Sequence, residues 1–476
     1  MEYQGFIGGA YRTRSPNQAT DTCVNLYLEL TESGTGKSEA TLYGTPGLRR
    51  FTTLPAPGAC RGAYTTAGGR AFVVCGYGLY EVFSGGTFRL RGMLRSFAGT
   101  VSMADNGLEL LCVDGTDQGY LLTLASNAYA RVASPGFSGG DVVVSLDGYF
   151  VLNRPGTGQF YVSGLLAGGV YDATEFASAE GRPDQIVSLI ADHRELLVFG
   201  TKSTQPFFNS GNVDFPFEPL QGTLVEQGIA ATHSAASMDN TTYWLGADTR
   251  GMGMVWKLAG YTPQRCSTHA IEYAINQYAR IDDAVAYTYQ EEGHAFYVLS
   301  FPTGNATWVY DAATQLWHQR ASLDPLTGQW QRHAAQYHCS AFGLHLVCGD
   351  GDERVYSAEL GQSTDDGMAL VRERTAPVLA DNERLLYHSV LELDLECGVG
   401  LDGGVIPGTS PQVMLQWSDD GGHTWSQERW VTAGPQGQYD LRALWRRLGR
   451  SRARAYRVRI SDPVKVALIG ARIEVA

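Results

Sequence analysis

Residues 293–320 read GHAFYVLSFPTGNATWVYDAATQLWHQR, and their reading decides the fold. Ala295 to Phe301 is an apolar run with the character of a strand. Pro302-Thr303-Gly304-Asn305 makes a turn, because Pro presets φ and Gly or Asn tolerates positive φ. Thr307 to Tyr310 is aromatic and β-branched, which predicts a second strand. Asp311-Ala312-Ala313-Thr314 turns the chain again, with the Asp side chain placed to accept a backbone N–H. Leu316 to Gln319 begins a third strand. Strand, turn, strand, turn, strand is an antiparallel meander.

The same pattern recurs along the chain. It appears in AFVVCGYGLYEV around Cys75, LELLCVDGTDQGYLLTL around Val113 and YFVLNRPGTGQFYVS around Leu152. It returns in ELLVFGTKSTQPFF around Phe199, TTYWLGADTRGMGMVWKL around Leu245, the opening stretch around Phe301 and LHLVCGDGDERVYSAEL around Cys348. The spacings are 38, 39, 47, 46, 56 and 47 residues, the size of a four-stranded propeller blade with loop insertions. One blade cannot bury both faces, so several must pack around an axis. The prediction is an all-β chain with a six- or seven-bladed β-propeller-like domain, since terminal units can be incomplete. A pair of ordinary sandwiches is the rival architecture, and it accounts less well for the recurrence. THAIEYAINQY predicts a short helix between blades, capped by Ser267, with Ile271, Ala274, Ile275 and Tyr278 on one face. Phe207, Phe208, Phe215 and Phe217 mark an insertion whose aromatics are expected to anchor a loop.

Composition fits this reading. The chain has 476 residues, 44% apolar and 11% aromatic, with 57 glycines and only 18% charged residues. That supports a core and many tight turns rather than disorder. Net charge is 36 − 49 = −13, unlike a protein that grips nucleic acid over its surface. Eight scattered cysteines without a CxxC read as small buried hydrophobes in a reducing compartment, with zinc or a disulfide framework as the alternatives. The start lacks the apolar core of a secretory signal, and no run is long enough for a transmembrane helix.

A second β pattern starts near 386, with strict alternation in VLELDLE and YRVRIS. It predicts a C-terminal β-sandwich platform over 363–476, following a propeller-like domain over 56–362. Residues 1–55 are expected to join the platform. LRALWRRLG is expected to form a helical turn.

Two features invite a functional reading. Ser418, Asp420, Gly422 and Trp425 lie in SDDGGHTW, which fits the Asp-box pattern S-x-D-x-G-x-T-W. Its physics is that of a hairpin, in which Asp420 satisfies turn amides, Gly allows positive φ and Trp425 packs beneath. In sialidases and related propellers the box is a structural turn. The second feature is charge: residues 441–476 hold ten Lys/Arg against two Asp/Glu, or +8, leaving −21 elsewhere. Arg442, Arg446, Arg447, Arg450, Arg452, Arg454, Arg457 and Arg459 form this cluster. Three readings stay open for it: an acidic partner or neighbouring subunit, DNA phosphates, or a solvated strand face. Glu291/Glu292 and Asp350/Asp352 sit as adjacent turn residues rather than as a glycosidase pair. His294, His318 and His338 lack metal spacing, and no nucleophile elbow, HExxH or phosphate loop is present. Neither catalysis nor a cofactor is expected.

STQPFFNSGNVDFPFEPLQG, YWLGADTRGMG, the opening stretch, LQWSDDGGHTW with RRLGRSRARAYRVR, and the N-terminal CVNLYLE and TLYGTPGL together resemble one family. It is the podovirus tail hub or nozzle family, also called packaged DNA stabilisation proteins. The resemblance runs in order along nearly the whole chain. It implies a virion protein, assembled in the host cytoplasm, that forms a sixfold ring below the portal and its adaptor ring. It further implies retention and conduction of packaged DNA without sequence-specific binding, and a seat for tailspikes or a tail needle. No catalytic residue and no membrane contact come with it. The second functional reading, from the Asp-box alone, is a glycan-binding or sialidase-like propeller.

Overall fold

The computed structural model describes residues 1–476 apart from 34, 180, 183, 213, 249 and 403–405. The deciding stretch forms strands His294–Phe301, Ala306–Asp311 and Leu316–Leu323, paired antiparallel in that order. In its first turn Asn305 takes the positive φ, at 48°. Gly304 serves another purpose: a Cβ there would stand 2.6 Å from the ring of Tyr278. In the second turn Asp311 accepts the N–H of Ala313 at 3.0 Å, and Gln315 takes the positive φ.

Among the described residues, the meanders form seven blades, at 60–93, 102–131, 143–178, 186–219, 236–265, 285–323 and 337–359. All seven recurrences found in the sequence fall on the second strand of a blade, such as Ala71–Cys75, Glu109–Val113 and Leu344–Cys348. Buried apolar clusters join successive blades, for example Leu110 and Cys112 with Phe72 and Val74, and Tyr243 and Leu245 with Tyr297 and Leu299. The seventh blade obtains its fourth strand from the other end of the chain, because Gly47–Thr53 pairs with Arg354–Glu359. The ring is thereby closed by hydrogen bonds between distant segments. All eight cysteines are unbridged, seven of them buried.

The helix is His269–Ile275, and its cap is Thr268, whose hydroxyl accepts the N–H of Ile271. Ser267, the expected cap, instead bonds Glu272. Tyr278, just beyond the helix, accepts a bond from Trp308 of blade six. Of the insertion aromatics, Phe207 and Phe217 are buried and Phe208 is exposed; Phe207 meets Phe160 edge-on at 4.9 Å.

The platform has two facing sheets. One is ordered Leu26–Leu30, Ala40–Gly44, Ala467–Val475, Leu386–Leu395, Ala443–Ser451. The other runs Thr20–Val24, Arg372–Thr375, Ala453–Ile460, Gln412–Ser418, Arg429–Thr432. Leu42, Leu391, Trp445 and Ile473 of the first meet Cys23, Leu415, Tyr456 and Val458 of the second in one core. The expected helical turn at LRALWRRLG is a strand, Ala443–Ser451. Arg447 has φ 57°, and a register shift faces it between His388 and Val390. This bulge puts Trp445, Leu448 and Ser451 on the buried side at three-residue steps, which imitates helical spacing.

The propeller and platform share a sheet. Thr20–Val24 lies antiparallel to Arg372–Thr375 and parallel to the last strand of blade six, Leu316–Leu323. Asn25 follows at φ 55° and is wholly buried. Its Nδ2 donates to the carbonyls of Ala321 at 2.7 Å and Val371 at 2.8 Å, and its Oδ1 accepts from the N–H of Ala321 at 3.0 Å. Asn25→Ala leaves three buried backbone groups without partners and is expected to cost about 2–4 kcal/mol. Urea unfolding measures this, and a change below about 0.5 kcal/mol would show that the junction does not depend on the side chain.

Candidate interface on the platform

The arginine cluster lies on two adjoining strands, Ala443–Ser451 and Ala453–Ile460, and the fold divides it by burial. Ala453–Ile460 is internal to its sheet, so its arginines are spent on structure. Arg454, 2% exposed, donates Nε and Nη2 to the two oxygens of Asp419 at 2.6 and 2.8 Å and reaches the carbonyl of Leu448. Burial alone would lower its guanidinium; the paired Asp419 carboxylate holds it above the ordinary value. Arg459 donates to Glu373 at 2.6 Å. Arg457 donates to Gln416 and lies 3.8 Å above the ring of Trp425, and burial pulls its guanidinium down to about 10.

Ala443–Ser451 is an edge strand, with Arg446, Arg447, Arg450 and Arg452 of this neighbourhood exposed. Arg442 is exposed too but pairs with Glu392 at 2.7 Å. Arg452 reaches only the carbonyl of Glu383. Among the described residues, Arg446, Arg447, Arg450 and Arg452 show no acidic partner. Arg429 props the bulge from the other sheet, its Nη1 donating to the carbonyls of Arg446 and Arg447 at 2.9 and 3.3 Å. Tyr387, 52% exposed, faces Arg450 across the ladder, whereas Trp430, 57% exposed, lies opposite Met414 in the other sheet and donates its Nε1 to Glu428 at 3.1 Å. An exposed Tyr among unpaired Arg suits a contact surface, and charge on an edge also prevents indiscriminate strand pairing. Tyr387 escaped the sequence reading because only the register places it beside Arg450.

The SDDGGHTW turn belongs to the same unit. Ser418 donates to Asp420 Oδ1 at 2.7 Å and accepts from Gly422 N at 2.8 Å. Asp420 accepts the hydroxyl of Thr424 at 2.6 Å and its N–H at 2.9 Å. These bonds from Thr424, then Ser418, hold the Asp420 carboxyl well below the usual carboxylate range. Gly421 and Gly422 have φ 70° and 87°. The turn thus spends its polar atoms on itself, while Asp419 secures Arg454 and Trp425 supports Arg457.

Sequence reading missed the strand Arg372–Thr375, whose four residues, RERT, are all buried. Glu373 receives Arg459 and the hydroxyl of Thr22. Arg374 donates to the carbonyls of Gly5, Phe6, Gly9 and Thr22, fixing the N-terminal arm. A charged tetrapeptide in a polar stretch carries no local signal of burial, since its partners are hundreds of residues away.

A closed seven-bladed β-propeller that shares a sheet with a β-sandwich defines the class. Residues 5–361 match the beta-propeller of bacteriophage P22 Gp10, and 371–476 match its beta-sandwich. The chain belongs to the bacteriophage P22 Gp10 family and is a structural protein of the phage virion tail. It is 24% identical over 437 residues to tail hub protein gp10 of Salmonella phage P22, covering 87% of this chain and 88% of that one. Among solved structures it is similar to the extracellular domain of the putative one component system BT4673 of B. thetaiotaomicron (TM-score 0.44, 9% identity). That match covers 66% of this chain and 40% of that one. It is also similar to the WD40 propeller of Doa1 (TM-score 0.42, 12% identity), over 66% of this chain and 96% of that one. Streptogramin B lyase is similar at TM-score 0.44 and 9% identity, over 66% and 97% of the two chains. These structural scores carry no functional argument.

His388 supplies a pH test of the platform. It is 2% exposed, its Nε2 lies 2.8 Å from Ser451 Oγ and its Nδ1 has no partner among the described residues. Burial, then the charge of Arg454, holds it down to about 4. The unfolded imidazole titrates near ~6.5, so between pH ~6.5 and about 4 the unfolded chain binds the extra proton. Stability contributed by His388 is complete above that window and falls as pH drops through it, by at most about 1.4 kcal/mol per pH unit. Urea unfolding against pH is expected to show a shallower slope in His388→Gln, and an unchanged slope would contradict the assignment.

Proposed function

We propose that this chain is a tail hub that assembles as a sixfold ring and docks through the exposed arginine edge of its platform. The single observation that carries this reading is the set Arg446, Arg447, Arg450 and Arg452, exposed without acidic partners among the described residues, with exposed Tyr387 paired to Arg450. A cyclic ring needs heterologous contacts, so a basic edge on one copy meets a different face on the next. With net charge −13 and +8 in the last 36 residues, the rest of the surface supplies the acidic counterpart.

The proposal extends to the tail. The ring sits below the portal and its adaptor, surrounds the path of the packaged DNA, retains it and conducts it at ejection. Tailspikes or a tail needle seat on it. An acidic wall suits that role, because like charge keeps phosphates from adhering and leaves the duplex free to slide. The reading assigns no catalysis. A glycan-binding propeller is not favoured: the Asp-box turn lies in the sandwich, and its polar atoms are already bonded within the turn.

The test is charge reversal in the virion. A quadruple variant with Arg446, Arg447, Arg450 and Arg452 changed to Glu is expected to keep its unfolding midpoint, because none of the four holds a buried partner. It is also expected to be absent from purified particles, which then lose DNA. Arg454→Glu is expected to lower the midpoint instead, since it puts an unpaired carboxylate beside Asp419 where a buried guanidinium stood. Normal incorporation of the quadruple variant would remove the arginine edge from the assembly.

A further inference from the structure

The two arginines of strand Arg372–Thr375 are treated differently by the fold. Arg374 is saturated by four carbonyls. Arg372 is 3% exposed, yet its Nε has no hydrogen-bond partner among the described residues. Its Nη1 reaches only the carbonyl of Asp462, at the outer limit of 3.5 Å. Asp365 is the acid that acts on it most, but that carboxylate accepts the N–H of Leu48 and makes no hydrogen bond to Arg372. Burial pulls the Arg372 guanidinium down to about 10. A buried cation left this short of partners is costly unless something else meets it.

Arg372 lines a cleft of about 610 Å³ where the chain passes from blade seven to the platform. Tyr43, Leu360, Leu401, Val464 and Val466 give it apolar walls. Lys465 also borders it, but lies 63% exposed and 2.9 Å from Glu396. Among the described residues of the cleft, Arg372 is therefore the uncommitted cation. Its Nη2, which is not fully buried as Nε is, also lacks a hydrogen-bond partner among the described residues, and a Cβ at Gly44 would stand 3.1 Å from Nε and 3.5 Å from Nη2. An ordinary side chain at Gly44 would crowd the guanidinium.

We propose that this cleft binds a carboxylate carried on a short apolar stem, received by Nη2 of Arg372. One guanidinium neutralises one charge, and a charge-assisted N–H from Nη2 meets one carboxylate oxygen. The apolar walls take the stem. A phosphate fits worse, because it brings a second charge and more oxygens than the cleft has free donors. The carboxylate has two possible sources, a free short-chain acid or a Glu side chain on a segment inserted by a partner protein. The site lies apart from the arginine edge, and the inference does not depend on it.

Isothermal titration of the full chain at neutral pH tests this with butyrate, the blocked dipeptide acetyl-Val-Glu-amide, inorganic phosphate, and butyramide as the uncharged control. Saturable binding of a carboxylate in the millimolar range or tighter is expected, with no binding of butyramide. A dipeptide at least about tenfold tighter than butyrate assigns the site to a protein partner, whereas equal affinities assign it to a small acid. Arg372→Met is expected to weaken either by at least about tenfold. Gly44→Ala, which retains the guanidinium and crowds its edge, is expected to do the same with an unchanged unfolding midpoint, and it decides the matter if the first variant does not fold. Phosphate binding as tightly as the carboxylates, no binding of either carboxylate, or undiminished binding in the folded variants would overturn the proposal.

Discussion

Asn25 holds a left-handed backbone with its amide fully buried, and it satisfies three backbone groups from two otherwise separate parts of the chain. Ala321 belongs to the last strand of blade six, and Val371 adjoins the central strand of the platform. Few residues tolerate that backbone, and fewer also offer a donor and an acceptor on one short side chain. The strand before Asn25 is inserted between blade six and Arg372–Thr375, so twelve strands form one continuous sheet. The platform is therefore placed by backbone hydrogen bonds rather than tethered by a linker.

The buried RERT strand is the second constraint. Glu373 faces Arg457, Arg459 and Thr22, and Arg374 gathers the carbonyls of residues 5 to 22. Each charge is offset by specific partners, which makes the arrangement particular to one register. Arg372 departs from that rule, with its Nε unpartnered beside an open cleft. The platform thus uses its arginines in three ways: to fix the N-terminal arm, to brace Trp425 and Asp419, and to charge an exposed edge.

Much of the propeller was legible because its signal is local and repeated. Cys75, Val113, Leu152, Phe199, Leu245, Phe301 and Cys348 each lie in the apolar second strand of a blade. Apolar-run-then-turn is visible in sequence whatever the tertiary context. Closure by Gly47–Thr53 was not legible, since pairing with residues 354–359 leaves no mark in either segment alone. The edge strand at Ala443–Ser451 was misread because a bulge at Arg447 turned a two-residue period into three. The arginines of the candidate interface were visible as a cluster. Their division into buried braces and exposed edge was not, because Arg454 and Arg452 look alike until one strand is known to be internal. Asn25 and Arg372 gave no signal, as both act through partners far away in sequence.

Native-state amide hydrogen exchange tests the shared sheet most directly. The amides of Cys23, Val24 and Asn25 are expected to open at the same free energy as those of Leu316–Leu323 and Ala453–Ile460, as members of one cooperative unit. Early exchange at Cys23, Val24 and Asn25, while the blade and platform strands stay protected, would show instead that propeller and platform are separate bodies joined by a loosely held strand.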